Sequence, residues 1–160
     1  MSVKFPRTIR LDESDGNVFT RPAESGEWAI SGGFEFSNWS EADMTGKARQ
    51  AFANGWLSLD GFGRATFVAV ARIEPQELEQ LTARLAEHFQ VVYGAPSAEA
   101  ARRAAEQEVE HTVSLCEDLD LNTLIAVQRE LTEAGVREAY RTIKPSDAAL
   151  DQVAVHGTPD

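Results

Sequence analysis

The stretch TLIAVQRELTEAGVREAYRTIK, residues 123–144, decides how this chain is read. Two apolar-polar alternating runs flank Thr132-Glu133-Ala134-Gly135, the pattern of a β-hairpin with a short loop. With a four-residue loop at 132–135, Leu131 opposes Val136, Arg129 opposes Glu138 and Val127 opposes Tyr140. On the other face Glu130 comes opposite Arg137. Facing opposite charges each add ~0.2–1 kcal/mol, so the charge pattern selects this register.

Working back from the hairpin, residues 97–119 read as a helix with Ser97 as N-cap and an apolar stripe at Ala101, Ala105, Val109, Thr112 and Cys116. Before it, Glu74-Pro75 opens a helix with proline in its first turn. Its stripe is Leu78, Leu81, Leu85, Phe89 and Val92, and Gly94 closes it. Residues 65–73, rich in β-branched and aromatic side chains, read as a buried central strand. Residues 41–53 read as a short helix capped by Ser40 or Asp43 and stopped by a left-handed cap at Asn54-Gly55. The first third reads as a meander of short strands at 8–11, 18–20 and 27–36, the last with Gly32-Gly33 inside it as a bulge or bend. The order is β-β-β-α-β-α-α-β-β. Strands segregate from helices, which predicts an α+β domain with an antiparallel sheet and helices packed on one face. Residues 1–145 form that single domain; 146–160, poor in apolar residues, are expected to be a flexible C-terminal tail.

Composition bounds the function. The chain has 160 residues, 42% of them hydrophobic and 26% charged, which is globular rather than disordered. Its net charge of −11 and pI near 4.7 give no global attraction to a phosphate backbone or an anionic bilayer. The longest apolar run, 65–71, is far short of the roughly 20 residues a membrane helix needs. No nucleic acid and no membrane are therefore expected as partners. A single cysteine fits a reducing compartment, and the first residues carry no apolar leader core, so a cytoplasmic location is expected.

Residues able to do chemistry near neutral pH are scarce: His88, His111, His156 and Cys116. Glu108 and His111 stand three apart on one helix face, the Glu-x-x-His spacing of carboxylate-bridged di-iron sites. Such sites need a second copy and further carboxylates, and His88 has Leu85, not an acid, three residues before it. The ordinary alternative is a solvated Glu–His contact, so no metal and no cofactor is expected. Cys116 near a helix C-terminus, beside Glu117 and Asp118, reads as a structural thiol because both features disfavour a thiolate. Gly61-Phe62-Gly63 runs into a strand, not a helix N-terminus, and reads as a turn with an exposed Phe62 rather than a phosphate loop. Arg129, Arg137 and Arg141, with Lys144, make the densest basic cluster, which Arg7 and Arg10 join if the first strand lies alongside. It either anchors an anion or pairs with Glu130 and Glu138. Trp39 and Phe62, in loops, are candidate interface anchors; a hydrophobic staple is the alternative for Trp39.

Phe5-Pro6-Arg7-Thr8-Ile9-Arg10-Leu11-Asp12 is similar to the opening of a small bacterial family of conserved proteins with no established activity. Gly26-Glu27-Trp28-Ala29-Ile30-Ser31-Gly32, Ser114-Leu115-Cys116 and Thr123-Leu124-Ile125-Ala126-Val127 resemble the same family. The resemblance implies a bacterial, cytoplasmic protein and assigns no residue a role. Together these readings lead to a non-enzymatic accessory or assembly protein that binds a protein partner or itself. The other class kept open is a small-molecule-binding domain or minor enzyme, with arginines holding an anionic ligand between sheet and helices.

Overall fold

The computed structural model describes residues 3–9, 19, 23–36, 43 and 45–144. Its C-terminal hairpin is β6 (Leu124–Thr132) and β7 (Gly135–Ile143), in the register set by the facing charges: Arg129↔Glu138, Glu130↔Arg137, Val127↔Tyr140 and Leu131↔Val136. The ladder runs one pair further than the alternation shows, to Thr132↔Gly135, so the connection is the two-residue turn Glu133-Ala134. Gly135 takes φ +115, and the Thr132 hydroxyl accepts from Ala134 N and donates to Gly135 O.

β6 pairs with β5 (Phe67–Ile73), and β5 with β1 (Val3–Ile9), giving a four-stranded antiparallel sheet in the order β1-β5-β6-β7. A second, three-stranded antiparallel sheet holds β2 (Ala29–Ile30), β3 (Trp56–Ser58) and β4 (Arg64–Ala65). The two sheets meet beside β1. Arg7 bridges Trp28, and Thr8 donates from its amide to Glu27 O and from its hydroxyl to Glu24 O. The α+β class and the segregation of strands and helices hold.

Four local readings change. The first strand begins at Val3 rather than at Thr8. Residues 27–36 are not one strand: β2 ends at Ile30 and a 3-10 turn occupies Gly33–Phe36. Gly32 takes φ +75 there, and a Cβ on it would lie 2.4 Å from Leu57 Cβ, so chain reversal and close packing both demand glycine. The run 65–73 is broken at Thr66, because Arg64 and Ala65 pair with β3 while Phe67 onward pairs with β1 and β6. The short helix is α1 (Gly46–Asn54), and Gly55 leaves it in extended geometry, φ −85, feeding directly into β3 instead of forming a left-handed cap. Ser40, Glu41, the strand at 18–20 apart from Phe19, and the tail 146–160 lie outside the described residues.

α2 (Pro75–Val91) and α3 (Ala98–Cys116) pack against each other. Ser97 caps α3 as its sequence predicts, its hydroxyl accepting from Ala100 N at 3.0 Å. The α3 stripe Ala101, Ala105, Val109, Thr112 and Cys116 is buried throughout. Ala101 and Ala105 are fully buried in this contact, and Arg102 of α3 pairs with Glu79 of α2 at 2.6 Å. Leu81, Leu85 and Phe89 of α2 join Ala101, Ala105 and Val109 of α3, Phe5 and Ile73 of the large sheet, and Trp28, Ile30, Leu57 and Leu59 of the small one. A second cluster gathers Val68, Val70, Ile125, Val127, Trp56 and Cys116. On β5 the two clusters take opposite strand parities, so both faces of this strand are covered. Val92 departs from the predicted stripe. It lies just past the helix end and is 59% exposed, while Thr82 is buried and returns its hydroxyl to Leu78 O.

Leu85 and Val92 therefore separate sharply. Leu85→Ala should cost about 2–5 kcal/mol in urea denaturation through the lost contacts and the cavity left behind. Val92→Ala should stay within roughly 0.5 kcal/mol of the parent.

Candidate functional site

The buried polar residues converge on one place. Arg129 of β6 is 3% exposed and sends its guanidinium away from its own strand. Its Nε donates to Glu138 Oε2 at 2.7 Å, and one terminal nitrogen donates to Ala51 O, Phe52 O and Gly55 O. The other donates to the carbonyl and hydroxyl of Ser31. All five N–H donors of a guanidinium are thereby engaged. Ala51 and Phe52 belong to the last turns of α1, whose carbonyls have few partners within the helix, and α1 has no basic residue of its own there. Arg129 supplies that cation from another element. Arg64 of β4, 6% exposed, joins it by donating to Gly55 O, Gly32 O and Ser31 O. The Phe36 ring lies 4.7 Å from the Arg64 Cζ and 5.4 Å from that of Arg129, with the cations over its face.

In front of this clamp is a cavity of about 290 Å³ whose walls include Ser31, Gly33, Phe34, Glu108, His111 and Glu138. Glu138 is its best-held group. Oε2 accepts from Ser31 Oγ at 2.5 Å as well as from Arg129, and Oε1 accepts from Tyr140 Oη at 2.6 Å. Burial alone would push its carboxyl up. The hydrogen bonds from Ser31, Tyr140 and Arg129, with the charge of Arg129, outweigh burial and hold it below the usual carboxylate range. The Tyr140 phenol is pushed well up, first by burial and then by the carboxylate it bonds. His111 Nε2 lies 3.3 Å from the same phenol oxygen, which extends the chain of contacts from Ser31 to the exposed imidazole. Glu108 differs from Glu138. Its carboxylate has no hydrogen-bond partner among the described residues, and burial, then the Glu138 charge, raise its pKa against a smaller lowering by His111.

The structure thus unites Glu108 and His111 in one cavity with the partner of Arg129. Among the described residues no three His, Cys, Asp or Glu side chains are placed to hold a metal ion. The basic cluster does not converge. Strand alternation puts Arg129 on one face of the hairpin with Glu138 and Tyr140, and Arg137 and Arg141 on the other. Arg137 pairs with Glu130 at 2.7 Å on an exposed surface, and Arg141 is exposed. Arg7 donates to Gly26 O and stacks over the Trp28 ring at 4.4 Å. Arg10 and Trp39 lie outside the described residues. Cys116 is fully buried, and burial pushes its thiol up to about 12 against the small opposing charge of Lys4.

Phe62 is half-buried rather than exposed. It takes φ +58 in its turn and stacks on His88 with ring centres 3.8 Å apart. Beside it, at the end of α2, are the large apolar residues exposed among those described: Val91 at 76%, Val92 at 59% and Tyr93 at 44%. Val91 and Val92 border a hollow of about 270 Å³ whose wall also holds Phe62, His88, Arg84 and Glu87.

Sequence reading reached Arg129, Glu138, Glu108 and His111 but not Ser31, Gly33, Arg64 or Tyr140 as a group. The one available signal was Tyr140, which follows Glu138 by two on the inward parity of the hairpin. Gly33 was hidden inside the supposed strand. A Cβ there would meet Glu138 Oε2 at 2.4 Å, so the carboxylate is seated on the bare glycine.

Removing Arg129 as Arg129→Met should cost about 3–5 kcal/mol, since Glu138 is left buried and uncompensated. The two carboxylates should also have opposite pH signatures. Glu138, lowered in the fold, stabilises it fully above the unfolded carboxylate value near ~4.3, and that contribution drains as pH falls through its folded value. Glu108, raised in the fold, imposes a cost that is absent below ~4.3 and complete once pH exceeds its folded value. At neutral pH Glu138→Gln should lower the urea midpoint and Glu108→Gln should raise it.

Comparison with curated proteins and with solved structures yields no match. A family model described as "Family of unknown function (DUF6505)" matches residues 2–160. The resemblance to a family without an established activity therefore holds over nearly the whole sequence, and the chain belongs to the DUF6505 family.

Proposed function

We propose that this protein acts by binding another protein, as a non-enzymatic accessory or assembly module of the bacterial cytoplasm. The observation that carries the reading is the run Val91-Val92-Tyr93, three consecutive large apolar side chains held in solvent at the end of α2. Scattered exposed apolar residues need no explanation, but a contiguous group around a hollow is the usual form of a docking anchor. The Phe62–His88 stack gives that hollow a rigid wall.

The partner is a different protein rather than a second copy. Each chain carries −11, so two copies repel one another at long range while a basic partner is attracted. A partner with an apolar knob and a basic rim complements both the hollow and the charge. The competing class, arginines around an anionic ligand, draws less support. Arg129 spends its donors on backbone and Glu138, and Arg137 and Arg141 face the other way. No helix among the described residues is long and apolar enough to cross a membrane.

The reading is tested by native mass spectrometry of the protein purified from its own cells. The wild type should carry a stoichiometric partner, the double variant Val91→Glu with Val92→Glu should lose it, and Arg103→Ser on exposed α3 should keep it. A bare chain mass for the wild type, or a partner retained by the double variant, overturns the reading.

A further inference from the structure

The cavity in front of Arg129 carries a second inference, independent of the docking surface. Its lining is asymmetric in charge, with Glu108 and Glu138 on its wall and no Lys or Arg. The nearest cation, Arg129, turns every donor onto Glu138, Ser31 and three carbonyls, so no positive group is offered to a ligand. Two carboxylates, Glu108 and Glu138, face the space, with Ser31, Gln107 and His111 as the other polar residues on its wall, and the Glu108 carboxylate accepts no hydrogen bond among the described residues. Phe34 and Val136 add an apolar wall. An anion would meet two carboxylates here. A cation would meet a free one, beside an aromatic side chain whose face attracts positive charge.

We propose that this cavity is a binding site for a small organic cation, a primary ammonium or guanidinium group on a short aliphatic chain, with Glu108 as its counter-ion. At about 290 Å³ the space is at the small end of ligand pockets, which suits a compact molecule. A hard metal ion is the wrong occupant, because calcium takes six to eight oxygen ligands and no cluster of three acidic, His or Cys side chains converges among the described residues. Glu138 and Tyr140 orient the site rather than neutralise the ligand, since their polar atoms already satisfy one another and Arg129. Their role is to keep a fixed negative edge opposite Glu108. The groups facing Glu108 are His111 from its own helix and Glu138, with its bonded Tyr140 and Ser31, from across the cavity. Only the ionised carboxylate of Glu108 serves as counter-ion, so binding strengthens as pH rises through the titration of Glu108. Glu108 further behaves as site residues do. It is held half-buried, and its carboxylate accepts no hydrogen bond among the described residues.

The test is calorimetric titration of the full chain at neutral pH with n-butylammonium and with agmatine, against 1-butanol and butyrate. Both cations should bind saturably, and the alcohol and the carboxylate should not. Glu108→Gln should weaken cation binding about tenfold or more, whereas Glu130→Gln, on the opposite face of the hairpin, should bind as the parent does. The double variant Val91→Glu with Val92→Glu should also bind as the parent does, which keeps this test separate from that of the docking surface. Equal binding of butanol and butylammonium, preferential binding of butyrate, or unchanged affinity in Glu108→Gln would overturn the proposal. If Glu108→Gln does not fold, the carboxyl carbon-13 shift of Glu108 in the parent decides. Butylammonium must lower the pH at which that resonance titrates, and an unchanged titration sinks the idea.

Discussion

The guanidinium of Arg129 is the constraint on which the rest of this structure depends. It gathers carbonyls from residues 74 to 98 positions away in sequence: Gly55 and Phe52 at the exit of the short helix, and Ser31 at the end of β2. None of these segments is long enough to be stable alone. A nine-residue helix and a two-residue strand lie well below the lengths at which local hydrogen bonding sustains itself. A delocalised cation with five fixed donors meets several orphan carbonyls in one geometry, which a lysine could not do. Arg64 repeats the contact from the other side, and Phe36 fills the space between the two cations.

That clamp has a consequence for chemistry. One carboxylate, Glu138, balances the buried charge and is fixed by three donors against a glycine. Glu108, only a short way across the cavity, receives none of this support. Two identical side chains are thus driven in opposite directions by their surroundings, one toward its charged form and one away from it. Working sites part pairs of carboxylates in this manner, and structural ion-pair networks do so as well.

The cavity and the apolar surface at the end of α2 are neighbours through Phe34. Its ring lines the cavity and also packs edge-on against Phe89 and Tyr93, 4.9 and 5.6 Å between centres. Tyr93 belongs to the exposed group, and Phe89 to the main core. The 3-10 turn that carries Phe34 is held by the arginine clamp at Ser31 and Gly32. Phe34 thus links the cavity to the exposed Tyr93.

What the sequence determined by itself was governed by near neighbours. Helix periodicity placed Ala101, Ala105, Val109, Thr112 and Cys116 inside, Ser97 capped its helix, and facing charges set the hairpin register. Those signals act within a few residues or across one turn, so composition and spacing express them directly. Only the tertiary structure decided the site. Gly32-Gly33 looked like a bulge in a strand because nothing local says that Leu57 and the Glu138 carboxylate occupy the space a side chain would need. Gly55 looked like a left-handed cap because nothing local says that an arginine from 74 residues further on already covers the helix end. Arg129 itself was legible as the partner of Glu138, but not as a clamp. Its other acceptors are backbone carbonyls, which every residue carries and which no sequence pattern distinguishes.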